Sequence, residues 1–136
     1  MPSESNPSYP ASARIAATAR LTASLRALVI DTGILGEPGC EADITRAQVA
    51  EAAGYELAEV QAAGSRGAAV ERMQDGLRKL LADLHERGEV DGALCLGGAE
   101  GALIGAAAMQ ALPIGVPKVI VSPSASGPQR GGCTSG

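Results

Sequence analysis

Apolar residues in this chain fall into two kinds of pattern. Leu25 to Ile30 (LRALVI), Leu94-Cys95-Leu96 and Val119-Ile120-Val121 are short runs that end in Gly-, Pro- or Ser-containing turns. Such runs predict strands buried on both faces, as in a parallel sheet. Between them, Val70, Met73, Leu77, Leu80, Leu81 and Leu84 recur at spacings of three and four and stop at Gly88. That spacing predicts an amphipathic helix, the longest in the chain. Asp75 with Lys79, and Asp83 with Arg87, take the favourable i, i+4 order on its wet face. Thr45 to Ala53 reads as a shorter helix, capped by Asp43 or Thr45 and stopped by Gly54. Gly101 to Leu112 reads as a helix of small residues, and the loop ILGEPGCEAD ahead of Thr45 is irregular. Strand, loop, helices, strand, helix, strand is a βαβαβ order, which implies a parallel sheet by the crossover rule.

The stretch from Asp91 to Gly127 carries the candidate chemistry. One predicted strand empties into Gly97, Gly98 and Gly101 at a helix start; the next empties into Ser122, Ser124, Ser126 and Gly127. The first N–H groups of a helix are unpaired, and its dipole is positive there, so such a turn can hold a phosphate or carboxylate without a cationic side chain. Carboxyl ends of neighbouring parallel strands lie together, which lets both loops face one ligand. Asp31-Thr32-Gly33 closes the Leu25–Ile30 run in the equivalent position.

At 136 residues the chain has the length of one domain. It has no Phe, no Trp and two Tyr, so its core is aliphatic. A formal charge of −4 repels a polyphosphate backbone and argues against a nucleic-acid partner. Cys40, Cys95 and Cys133 are widely spaced and odd in number, which fits reduced thiols and a cytoplasmic protein rather than a disulfide framework or zinc site. The opening MPSESNPSYPASAR is polar and proline-rich and reads as a tail, with no secretory signal. Residues 93 to 116 are apolar enough to suggest a membrane span with a Gly101/Gly105 pair. Glu100, Gly97-Gly98 and Pro113 interrupt them, and buried strands beside a small-residue helix give the same signal.

Several residues admit more than one role. Asp31, at the end of a buried strand, is placed either to meet a ligand or to satisfy the N–H groups of its own turn. Glu100, inside the glycine turn, has three options: solvent, a metal held with the ligand, or Arg130. His85 lies one turn before the end of the long helix, where the dipole favours it, and its role is structural or neutral. Residues 44 to 60 have the spacing of a helix-turn-helix. The second helix would display Glu56, Glu59 and Gln61 and no cation, which does not suit a phosphate-lined groove.

LVIDTGILGEP at 28 to 38, DITRAQVAEAAG at 43 to 54, RGAAVERMQDG at 66 to 76 and the whole of 90 to 127 together resemble the ATP-binding domain family named after the plant tomato mosaic virus resistance protein. The resemblance covers roughly 100 residues in the same order. It implies a nucleotide-binding domain of Rossmann-like α/β halves, with ATP as cofactor, with or without Mg2+. It puts the turn at 97 to 101 and the loop at 122 to 127 against the ligand, with Asp31-Thr32-Gly33 nearby. Ala99, Glu100 and Ala102 replace the Ser, Gly and Thr of that family's common turn. The family's first strand and second half also have no counterpart here.

The resulting expectation is an α/β chain: a Rossmann-like parallel sheet with flanking helices, an incomplete half of a two-part domain at 15 to 127, between tails at 1 to 14 and 128 to 136. Its expected function is nucleotide binding, with Asp31, Thr32, Gly33, Gly97, Gly98, Glu100, Gly101, Ser122, Ser124, Ser126 and Gly127 as binding residues. The alternatives are an enzyme for a small anionic substrate using Asp31 or Glu100, and a ligand-free interaction module. Expected partners are a nucleotide or other small anion, and a second copy or a missing half, with no nucleic acid, membrane or bound metal. No GK[ST] loop, Ser/His/Asp set or metal-ligand spacing names a reaction.

Overall fold

The computed structural model describes residues 25–123. Among these, the chain forms four helices and a two-stranded parallel sheet in the order α1 (Arg46–Ala52), α2 (Leu57–Gln61), α3 (Arg66–Glu86), β1 (Ala93–Leu96), α4 (Ala99–Met109) and β2 (Lys118–Val121). It is a mixed α/β fold, as the alternating patterns predict.

Local chemistry fixes the helix ends. Thr45, one of the two expected caps, accepts from the Gln48 N–H at 3.3 Å while the Gln48 side chain accepts from the Thr45 N–H at 2.8 Å, a reciprocal capping box for α1. Ser65 Oγ accepts from the Ala68 N–H at 3.1 Å and starts α3. Gly88 ends α3 at a φ of +72°, with the Glu89 N–H reaching back to the Leu84 carbonyl at 2.9 Å. The α3 periodicity has its expected consequence: Val70, Met73, Leu77 and Leu81 are buried against Val49 and Ala50 of α1 and Ile104 and Ala108 of α4. Gly76 sits where a side chain would strike the Val49 carbonyl, so its small size sets the α1–α3 approach. On the wet face Asp83 pairs with Arg87 as expected, but Asp75 pairs with Arg78 at 3.1 Å, three residues on, in place of Lys79.

β1 and β2 pair in parallel, with Leu94 opposite Val119 and Leu96 opposite Val121. Side chains alternate across a strand, so these four share one face and Cys95 and Ile120 the other. Cys95 packs directly against Gly105 of α4, where an added Cβ would overlap its sulfur. The opposite face stays open: Leu94, Val119 and Val121 are each more than half exposed.

The expected first strand differs. Leu25 to Ile30 makes only an isolated parallel bridge, Ile30 to Ile44, and does not join the sheet. The reason is spatial: a cavity of about 1030 Å³ separates it from β1, and a strand without a neighbour at ladder distance has nothing to bond. The helix expected over 101 to 112 starts two residues earlier and ends at Met109, and Leu112 is buried beyond it.

Candidate functional site

The cavity collects one end of the loop after Ile30 and the start of α4. Asp31, Thr32, Gly33, Glu100 and Gly101 line it, together with Cys40 and the apolar Leu94, Leu96 and Ile104. Gly97 and Gly98 belong to the same turn but do not line the cavity. Ser122 follows β2 directly and is buried at 8% exposure. Ser124, Ser126 and Gly127 lie outside the described residues, as does Arg130.

Asp31 is held on both oxygens. Its Oδ1 accepts from the Gly33 N–H at 2.9 Å, and its Oδ2 accepts from Arg46 Nε at 2.8 Å. Arg46 is itself buried at 8% exposure and donates to the Gly36 carbonyl at 2.6 Å. An added Cβ at Gly33 would stand 2.7 Å from the guanidinium, so this glycine makes room for a cation. The loop is thereby folded around Arg46, and the turn-satisfying role of Asp31 is the one the geometry displays.

At α4, Gly98 is the N-cap and supplies no side chain to the free N–H groups. The first backbone bond returning to the cap is Ala102 N–H to the Gly98 carbonyl at 2.9 Å. That leaves the N–H groups of Ala99, Glu100 and Gly101 without intrahelical acceptors. Glu100 crosses to the start of α3 and forms a two-point ion pair with Arg66, whose Nη2 lies 2.9 Å from Oε2. Its hydrogen bond to Arg66, more than the charge alone, holds the Glu100 carboxyl below the usual carboxylate range, and the same contact raises Arg66. Two helix N-termini, of α3 and α4, are thus joined by one carboxylate. Arg46 and Arg66 escaped the sequence reading; the one available signal was that each stands first in its helix, directly after a Thr or Ser cap.

Cys95 is half-buried, and loss of water pushes its thiol up; the S–H reaches the Gly101 carbonyl at 3.4 Å. His85 Nδ1 contacts the Val90 carbonyl at 3.3 Å, tying the end of α3 to the approach of β1. Among the described residues no three His, Cys, Asp or Glu side chains gather as a metal site, and no helix is long and apolar enough to cross a membrane. The segment with helix-turn-helix spacing ends in the five-residue α2, tied through Gln61 to the Ile34 carbonyl.

The class of protein so defined is an α/β domain whose glycine turn leads from a parallel strand into a helix beside a partly apolar cavity. The chain belongs to UPF0261: the family model described as "Uncharacterised protein family (UPF0261) N-terminal domain" matches residues 12–131. A UPF0261 protein of Clostridium tetani (strain Massachusetts / E88) is 36% identical over 106 residues, 78% of this chain and 26% of the relative. UPF0261 proteins of Brucella suis biovar 1 and Brucella melitensis biotype 1 are 39% and 38% identical over 95 residues, 70% of this chain and 23% of each relative. The chain therefore spans about a quarter of the length of these relatives. The match corrects the expected family: the segments that resemble the ATP-binding domain family named after the tomato mosaic virus resistance protein belong to UPF0261, and ATP does not follow from family membership.

Proposed function

We propose that this domain binds the phosphate or carboxylate of a small anionic molecule at the start of α4, with a nucleotide as the ligand class to test first. The observation that carries the reading is the Arg66–Glu100 pair across an uncapped helix start. Glu100 stands in the first turn of α4, where the N–H groups of Ala99, Glu100 and Gly101 lack intrahelical acceptors and the positive end of the helix dipole favours an anion. An incoming phosphate takes the same electrostatic position, and Arg66, released from Glu100, supplies a charge-assisted bond. Thr32 and Gly101 on the cavity wall face the rest of the ligand. A Rossmann-like arrangement, with ligands held at the carboxyl ends of parallel strands, is the fold reading that accompanies this proposal.

The catalytic alternative is weaker, because both of its acids are engaged: Asp31 by Arg46 and the Gly33 N–H, Glu100 by Arg66. A titration with inorganic phosphate and then with ATP, with and without magnesium, followed by amide chemical shifts, tests the proposal. Saturable shifts at Ala99, Glu100 and Gly101 are expected. Shifts confined to other regions, or none at millimolar ligand, overturn it.

A further inference from the structure

We draw no further inference here: the strongest candidate, the cavity of about 1030 Å³ between Leu25–Ile30 and β1, is lined by both of these runs and by Gly101 and Ile104 of α4, and nothing in the structure shows what fills it.

Discussion

Arg46 Nε donates to Asp31 Oδ2 at 2.8 Å, and the same guanidinium bonds the Gly36 carbonyl, so one buried cation organises the loop that forms a wall of the cavity. The pair joins the first position of α1 to the end of the run before it, fifteen residues away. Replacing Arg46 by Leu strands a half-buried carboxylate and is expected to cost about 3 kcal/mol in urea unfolding, the scale for breaking a buried pair. An Arg46→Leu/Asp31→Leu double variant recovers part of that loss. Equal stability of the single variant and the wild type contradicts a structural role for the pair.

Gly105→Ala is expected to destabilise by about 1–3 kcal/mol, because its Cβ overlaps the Cys95 side chain in a packed contact between α4 and β1. Gly98→Ala meets nothing within 4 Å and has a φ of −71°, so it lacks that steric cost. Thermal melts of the two variants side by side separate a packing glycine from a turn glycine.

Glu100 titrates below the usual carboxylate range because of its bond to Arg66. A depressed folded-state pKa contributes stability that is full above the unfolded value and is lost as pH falls through the lowered one. Both groups are exposed to solvent, so the effect on stability is small and weakened by salt. NMR titration of the Glu100 carboxyl is expected to move upward in Arg66→Gln. An unmoved titration contradicts the pair.

The sheet face bearing Leu94, Val119 and Val121 is open, and β2 presents an outer edge beside it. Exposed apolar strands of this kind associate. Sedimentation is expected to show concentration-dependent association that a Val119→Lys/Val121→Lys variant reduces. A wild type that stays monomeric at every concentration contradicts this.

Helices α1 and α3 were legible because their signals are local: a three- and four-residue apolar spacing, Thr45 as a cap, Gly54 and Gly88 as stops. The strand-to-helix turn at 93 to 101 was legible for the same reason, since apolar residues give way to glycines within a few positions. Arg46 and Arg66 were not, because what defines them is an acid 15 and 34 residues away, a distance no spacing rule covers. The run at Leu25 to Ile30 has strand composition, yet composition does not provide the neighbour a ladder requires. Among the described residues no strand lies between it and β1, which leaves the cavity there, and the burial of Ser122 is likewise not encoded locally.

Equilibrium dialysis of ATP and inorganic phosphate against wild type, Gly98→Asp and Glu100→Gln tests directly whether the start of α4 is an anion site. Asp at the N-cap has room, caps α4 at least as well as Gly, and places a carboxylate where the anion belongs. Glu100→Gln removes the internal competitor for Arg66 while keeping the side chain's size. Binding is expected to weaken about tenfold or more in Gly98→Asp, about 1.4 kcal/mol, and to tighten in Glu100→Gln, with both variants folded. Affinity unchanged in both variants, or no anion binding in any of the three, contradicts the anion site.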